Sequence, residues 1–486
     1  MATDSMLWHG TFTEDFVDEF AELSGDWNPI HVDALRARRL LFGARVVHGM
    51  AGVLRMLDAF LASGGAVPGS IRVTFRAPLL LDRPAAVELR VPGADGAAAG
   101  AAAIDGREPI RLVLRCGDEE AITAVLGGRG EPVDVAPRER VPLRTNPQAR
   151  FFDDAGPRSG AVSVDTDTAR LRAIFPAAWR ELGPGRVTAL AALSRLVGMI
   201  LPGEDSLFVA ASLEFVGAGH SLEPMLAWEV TRARAAVAPV EVAVAGAGIS
   251  GSVSAVYRPK PVEQPSMAML RALVRPGEFR GEHALVIGGS RGLGEVMAKL
   301  VAAGGGAVTL TYARGRQDAE RVQAEIAPFA RWSEVMQADV DDLTSLMTSI
   351  PAPTQVSYMA TPTITAAGDA ADHARLADLY VDRFAAMVAQ VVQAGWRPVS
   401  IFYPSTVFID APPAGMEPYA RAKRAGELVC RELSAEHPEL SIVVRRLPRM
   451  ATDQTNALIR QPCADAVPIL LEVVRALARP RGGEPR

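Results

Sequence analysis

The sequence predicts two kinds of fold in one chain: an α+β half built twice on one plan, and an α/β half with a doubly wound parallel sheet. Three observations carry this. Before residue 258 an apolar helical stripe followed by β-like segments occurs once and recurs at an offset of 140 residues. Around 258–281 prolines, glycines and charges crowd together, from Arg258-Pro-Lys-Pro to Arg275-Pro-Gly, which reads as a linker with a short helix at 266–273. Beyond it strand-like and helix-like stretches alternate, which calls for parallel strands with helices on both faces. The 486 residues are enough for about three domains. The expected division is 1–136, 137–258, a linker at 259–281, and 282–486.

Composition narrows the partners. A net charge of -5 and a pI near 5.9 give no electrostatic reason for nucleic acid or an anionic membrane. The short basic clusters (Arg36, Arg38 and Arg39; Arg445 and Arg446) read as solvated faces. Cys116, Cys430 and Cys463 lack metal-ligand spacing, and their odd number argues against a disulfide framework, so no metal is expected. Residues 1–15 carry Asp4, Glu14 and Asp15 and no long apolar run, unlike a signal peptide. The Ala-Gly stretch 95–104 is too short and too weakly apolar to span a bilayer. A soluble protein of a reducing cytoplasm is the expectation.

In the first half, Met50, Val53, Leu54, Leu57 and Leu61 recur at helical spacing before the strand Ile71–Phe75. The second copy has Leu190, Leu193, Leu196 and Val197, then the strand Ala211–Phe215. Arg55 falls on Arg195 and Phe75 on Phe215 without a gap. Each copy runs on into β-like segments, such as Ala86-Val-Glu-Leu-Arg-Val and Leu226-Ala-Trp-Glu-Val.

The chemistry of this half stands ahead of the first helix. Leu23-Ser-Gly-Asp26-Trp-Asn28-Pro29-Ile-His31 holds an Asp and a His around a rigid Asn-Pro turn, a pair suited to moving two protons. Val46-Val-His48-Gly49-Met50 places Gly49 where the helix begins, and its N–H is positioned to stabilise an enolate oxyanion. Together with Phe75-Arg-Ala-Pro78, these segments resemble the MaoC-type (R)-specific enoyl-thioester hydratases and dehydratases over about 10–85. The resemblance implies a hotdog fold, a long helix wrapped by a curved antiparallel sheet, here doubled. It makes Asp26 and His31 the acid/base pair and Gly49 the oxyanion donor. No histidine occurs between 49 and 219, so the second copy lacks the pair and one active site per double hotdog is expected.

In the second half, strands are expected at Ala284-Leu-Val-Ile, Ala307-Val-Thr-Leu-Thr and Pro398-Val-Ser-Ile-Phe. The first leads into Val286-Ile-Gly-Gly-Ser-Arg-Gly-Leu-Gly294. Gly288, Gly292 and Gly294 allow a tight turn and the approach of a pyrophosphate to a helix N-terminus, with Ser290, Arg291 and Leu293 in the same loop. The second strand ends Thr309-Leu-Thr-Tyr-Ala-Arg314, with no acid before Asp318 to bind ribose hydroxyls. Arg314, with Arg291, is instead suited to a 2′-phosphate, which favours NADPH over NADH. Further on come Tyr403-Pro-Ser405-Thr406 and Tyr419-Ala-Arg-Ala-Lys423. On a helix Tyr419 and Lys423 share a face, and the ammonium is expected to lower the phenol pKa.

This combination resembles the short-chain dehydrogenase/reductase family over roughly 284–458. The resemblance implies a Rossmann domain in which Tyr419 donates a proton to a carbonyl and Lys423 flanks the nicotinamide ribose. A serine hydrogen-bonds the carbonyl in that family; Ser405 suits the local motif and Thr406 suits the spacing, with Ser405 named first. Asp339 in Gln337-Ala-Asp-Val resembles the aspartate placed near the adenine. Homodimerisation through the reductase helices is also implied. The chain departs from the family at Tyr358-Met-Ala-Thr-Pro362, where Asn-Ala-Gly is usual, and at Pro448-Arg449, where Pro-Gly is usual.

The two resemblances share an intermediate. They imply an NADPH-dependent 3-ketoacyl reductase and a 3-hydroxyacyl dehydratase acting on acyl-carrier-protein or CoA thioesters, in fatty-acid-like or polyketide synthesis. The alternatives are the reverse pair, hydratase plus 3-hydroxyacyl dehydrogenase, and a dehydratase with a non-catalytic NADPH-binding docking domain.

Overall fold

The computed structural model describes residues 5–90, 109–131, 136–148, 157–217, 224–233, 239–340, 343–362, 364, 370–396, 399–457 and 461–478. The Ala-Gly stretch 95–104 and Pro398 lie outside them. The chain forms two compact units, Met1–Lys260 and Pro261–Arg486. Among the described residues no helix is long and apolar enough to cross a membrane.

The first unit is one sheet around two central helices. Its strands are β1 (Ser5–Thr11), β2 (Pro68–Phe75), β3 (Pro84–Arg90), β4 (Ile110–Cys116), β5 (Glu119–Arg129), β6 (Ser159–Ser163), β7 (Ser206–Phe215), β8 (Met225–Arg232), β9 (Val240–Gly246) and β10 (Ile249–Tyr257). They lie in the order β1-β3-β4-β5-β2-β7-β10-β9-β8-β6, and every neighbour pair is antiparallel. The second five strands repeat the first five in mirror order. The two sets join where β2 pairs with β7, and there Arg72 faces Ser212, its counterpart at the offset of 140.

The helices pack in one core with the inward face of the sheet. In α1 (Glu14–Ser24), Thr13 caps the N-terminus and Val17, Phe20 and Leu23 turn inward. α2 (Gly49–Ala62) is buried on nearly every face and is mostly apolar, with Arg55 and Asp58 as the charged exceptions. α3 (Pro184–Arg195) is its counterpart, buried from Gly185 to Ser194, and ends in a π turn, Leu196–Ile200. One core takes Met50, Leu54 and Leu57 from α2, Leu190 and Leu193 from α3, and inward residues of the sheet such as Ile71 and Leu213. Strand alternation supplies the latter: in β2, Ile71 and Val73 are buried while Arg72 and Thr74 are exposed.

The second unit is a six-stranded parallel sheet. Its strands are β11 (His283–Ile287), β12 (Ala307–Tyr312), β13 (Ser333–Gln337), β14 (Gln355–Tyr358), β15 (Val399–Thr406) and β16 (Leu440–Leu447). Their order is β13-β12-β11-β14-β15-β16 and all pairs are parallel. The strand order reverses beside β11, which leaves a crevice at the carboxyl ends of β11 and β14. α4 (Gly292–Ala303) packs on α7 (Ala466–Leu477), with α5 (Arg316–Ile326) beside α4; α6 (Glu417–Glu436) packs on β15 and β16. The helix Met267–Arg271 lies in the stretch expected to be a linker. Met267, Leu270, Val274 and Phe279 are buried in the core of this second unit.

Candidate active sites

In the first unit Gly25 ends α1 in the left-handed region (φ 74°), and the chain turns into Asp26. Asn28 then caps the short helix Pro29–Val32: its side-chain oxygen accepts from the Ile30 N–H at 3.2 Å, and Pro29 takes the first helical position. The Asn28 amide donates to the carbonyls of Gly198 (2.8 Å) and Glu204 (3.1 Å), so residues after α3 hold this turn in place.

The turn sets Asp26 against His31, with His31 Nε2 3.9 Å from Asp26 Oδ2. His31 Nδ1 lies 2.8 Å from the Val46 carbonyl, which can only accept; Nδ1 therefore carries the hydrogen and Nε2 faces Asp26 with a lone pair. His48 stacks on His31 with ring centroids 3.9 Å apart, and its Nε2 donates to the Asp26 carbonyl at 3.0 Å. Gly49 follows His48 as the first residue of α2, where N–H groups have no acceptor within the helix. A Cβ on Gly49 would come to 2.7 Å from the Phe75 ring, so the close approach needs glycine.

Two groups from the second half reach this site and have no equivalent in the sequence reading. Ser194, in the last turn of α3, donates its hydroxyl to Asp26 Oδ2 at 2.7 Å. Gly198, in the π turn, leaves room for the Asp26 carboxylate; a Cβ there would run into both of its oxygens. The available signal was a serine and a glycine inside an otherwise apolar helical stripe.

Burial raises the Asp26 pKa, opposed by His31 and the hydrogen bonds from Ser194 and Asn28. Burial lowers that of His31, opposed by Asp26 and aided by the Arg258 and Arg45 cations. His48 is held well below its ordinary value, by burial and then by His31. Both members of the pair are thus shifted toward their neutral forms. The ligand-type atoms of Asp26, His31 and His48 lie within 4.8 Å of one another. Two of the nitrogens are turned to carbonyls, however, and Arg45 and Arg258 add positive potential, which opposes a metal cation.

In the second unit Gly288 leaves β11 at φ 80°, its N–H bonded to Thr311 Oγ1 at 3.1 Å. A Cβ there would sit 2.9 Å from the Ala360 nitrogen. Gly292 (φ 58°) opens α4, and a Cβ on Gly294 would strike the Gly288 carbonyl. These positions need glycine, and the first-turn N–H groups of α4 form an anion cradle that fits a dinucleotide pyrophosphate. Ser290 is buried in the loop and Leu293 packs on the core. Arg314 is exposed in the loop after β12, and Asp339 is exposed just after β13. Arg291, part-buried in the glycine loop, lies 3.9 Å from Asp453.

Two expectations about the tyrosine change. Tyr419 has its pKa pushed up to about 12 by burial, with only the hydrogen bond from Thr406 lowering it. Lys423 does not pull it down, because the lysine is itself buried, its own pKa lowered to about 7. Its Nζ lies 5.9 Å from the Tyr419 ring centroid and donates to the Pro404 carbonyl at 2.6 Å. The second change concerns the hydroxyl partner. Ser405 and Thr406, at the end of β15, meet different residues of α6. Thr406 bonds Tyr419, whereas Ser405 donates to Glu427 at 2.6 Å, a carboxylate also held by Arg446. Thr406, not Ser405, is the hydroxyl beside the tyrosine.

Residues 8–101 match the family model of the MaoC like domain. Over 105 residues the chain is 37% identical to a 3-hydroxybutyryl-CoA dehydratase of Methylorubrum extorquens, covering 21% of this chain and 61% of that protein. Over 72 residues it is 38% identical to the mitochondrial 3-hydroxyacyl-[acyl-carrier-protein] dehydratase of Arabidopsis thaliana, covering 14% of this chain and 43% of that protein. The chain therefore spans less than two thirds of either relative. Among solved structures, it is similar to a short-chain dehydrogenase from Burkholderia cenocepacia in complex with NADP (22% identity, 41% of this chain and 91% of that one, TM-score 0.37). It is also similar to a short-chain dehydrogenase from Sphingobium yanoikuyae in complex with NADPH (17% identity, 40% and 83%, TM-score 0.36).

Proposed function

We propose that this chain, whose N-terminal part carries a MaoC-like dehydratase domain, is a bifunctional enzyme that reduces a 3-ketoacyl thioester and dehydrates the resulting 3-hydroxyacyl thioester to a trans-2-enoyl thioester. The observation that carries it is the Asp26–His31 pair, its tautomer set by Val46, directly before the open N-terminus of α2. We read the two halves of the first unit as a double hotdog with one active site. The pairing of Arg72 with its counterpart Ser212 supports that reading.

In dehydration, His31 Nε2 accepts the α-proton of the 3-hydroxyacyl thioester. Asp26, made more basic by burial, gives its proton to the departing hydroxyl, which leaves as water. The Gly49 N–H stabilises the enolate oxygen that forms in between. The imidazolium then returns a proton to Asp26 across the pair, and the site is reset. Ser194 holds the carboxylate in place throughout.

In the second unit the first-turn N–H groups of α4, approached over the glycine loop, would hold the pyrophosphate of NADPH, and Arg314 would meet the 2′-phosphate. Bound NADPH would supply the hydride that reduces the 3-keto carbon. Tyr419 keeps its proton at neutral pH and donates it to the carbonyl oxygen, while Thr406 shares a hydrogen bond with that oxygen. The thioester is carried by CoA or an acyl carrier protein.

The test is incubation of 3-ketoacyl-CoA and 3-ketoacyl-carrier-protein series with NADPH, followed by mass spectrometry. The 3-hydroxy and trans-2-enoyl thioesters are the expected products. Formation of neither across carriers and chain lengths overturns the assignment.

A further inference from the structure

We propose that Tyr380 is a positioning residue of the reductase site: the face of its ring carries the Lys423 ammonium, and its hydroxyl, tied to Thr361, fixes that face. The proposal rests on the reductase reading for its consequence in catalysis, and on the geometry alone for the cage itself.

Lys423 Nζ lies 3.6 Å from the Tyr380 ring centroid and 5.0 Å from that of Tyr403, closer to both than to Tyr419. Tyr380 and Tyr419 meet edge to face at 5.8 Å, so three aromatic rings surround one ammonium. Lys423 is 4% exposed and Tyr380 1%. Among the described residues the Pro404 carbonyl is the acceptor for this buried ammonium, and the negative face of an aromatic ring offers its further N–H bonds a partner. The titratable groups facing it are Tyr419 and Cys430 from its own helix, Tyr403 from β15, and Tyr380; Glu427 acts on Cys430 and Tyr403, and Tyr358 on Tyr403 and Tyr380.

The backbone is arranged to hold the ring there. Tyr380 lies in a π turn, Asp378–Asp382, between the helices Ala370–Ala377 and Arg383–Gln393. The turn presents two carbonyls to neighbouring strands: Tyr358 donates to Leu379 at 2.9 Å and Tyr403 donates to Tyr380 at 3.0 Å. The Tyr403 hydroxyl reaches its acceptor over Gly426, where a Cβ would collide with it. The Tyr380 hydroxyl bonds Thr361 Oγ1 at 2.6 Å. Thr361 follows Ala360, the residue that abuts Gly288 in the glycine loop. Thr361 and Ala360 belong to the segment where the chain departs from Asn-Ala-Gly. Tyr380 thus links the lysine to the segment lining the cofactor cradle.

The chain has three lysines, Lys260, Lys299 and Lys423, so each can be followed separately by mass spectrometry. The experiment is pH-dependent competitive labelling with acetic anhydride on the full chain without cofactor, using Lys260 (side chain 59% exposed) as internal reference. Tyr380 is replaced by phenylalanine and then by phenylalanines carrying one, two and three ring fluorines, which drain the ring face without changing its size. The Lys423 midpoint is expected to stay in place for Tyr380→Phe and to fall progressively with fluorination, by about half a unit to one unit in all. A midpoint indifferent to fluorination, or rising with it, overturns the cage. Tyr380→Leu is expected to shift the midpoint in the same downward direction, and a rise there also counts against the proposal. In the same series the pH limb of 3-ketoacyl reduction moves with the labelling midpoint. If no protein in the series, the native one included, reduces a 3-ketoacyl thioester, the reductase reading fails while the labelling still decides the cage.

Discussion

The two candidate sites surround a buried ionisable group in opposite ways. Around Asp26 the partners are polar: Ser194, the Asn28 N–H and His31 all reach the carboxylate. Around Lys423 they are aromatic, with one carbonyl, and the lysine is held near pKa 7. The difference matches the two chemistries. A site that moves two protons needs lone pairs and hydroxyls that follow the proton. A site that holds one proton on a phenol and one cation beside it needs fixed faces that exchange no proton themselves. Both sites also sit against a π turn, Leu196–Ile200 in one and Asp378–Asp382 in the other, which presents backbone carbonyls to neighbouring side chains.

The strongest test of the contrast is Asp26→Asn. It should lower dehydration by roughly a thousandfold or more and leave 3-ketoacyl reduction unchanged, measured on separate hydroxy and keto substrates. The sign for stability is opposite to that for activity. A carboxyl whose folded pKa is raised stabilises the fold while protonated, and that stability is lost as pH rises through the folded value. Asp26→Asn should therefore melt no lower than the native chain at neutral pH; a clear fall in Tm would mean that the ionised carboxylate holds the fold.

Tyr419→Phe should do the reverse, lowering reduction by roughly a hundredfold to ten-thousandfold with dehydration untouched. Equal loss of both activities would break the separation of the sites.

Ser194→Ala removes one hydrogen bond to Asp26 from the half without a catalytic pair. Dehydration should fall by about tenfold, the scale of one hydrogen bond, with kcat affected more than KM. No change would confine the second half to packing.

The pH profiles should differ more gently. Dehydration as read needs His31 neutral and Asp26 protonated, so it declines on the acid side as His31 gains a proton and on the alkaline side as Asp26 loses one. Reduction should decline by a few-fold as pH rises through about 7, where Lys423 loses its charge, and Tyr419, at about 12, should add no limb below pH 10. Coincident profiles would remove the distinction between polar and aromatic surroundings.

Much of this was legible in local spacing. Asp26, Asn28, Pro29 and His31 are close enough in sequence for one capped turn to place them, and Gly288 and Gly292 announce left-handed backbone while Gly294 announces a close approach. Strand and helix periodicity likewise predicted β2, β7 and β11, because alternation and 3.6-residue spacing are properties of single segments. The choice between Ser405 and Thr406 was not legible, since both meet α6 and only packing sets which one falls beside Tyr419 and which beside Glu427.

By itself the sequence indicated the central helices, several strands and the tight turns, and offered candidate residues for two acid/base sites. Only the tertiary structure decided that Ser194 and Gly198, about 170 residues away in the chain, complete the Asp26 site, and that Tyr380 rather than Tyr419 lies closest to Lys423. The reason is physical. Hydrogen-bond geometry within a turn is set by neighbours in the chain, whereas burial and the pKa shifts that follow from it are set by whatever packs across the core.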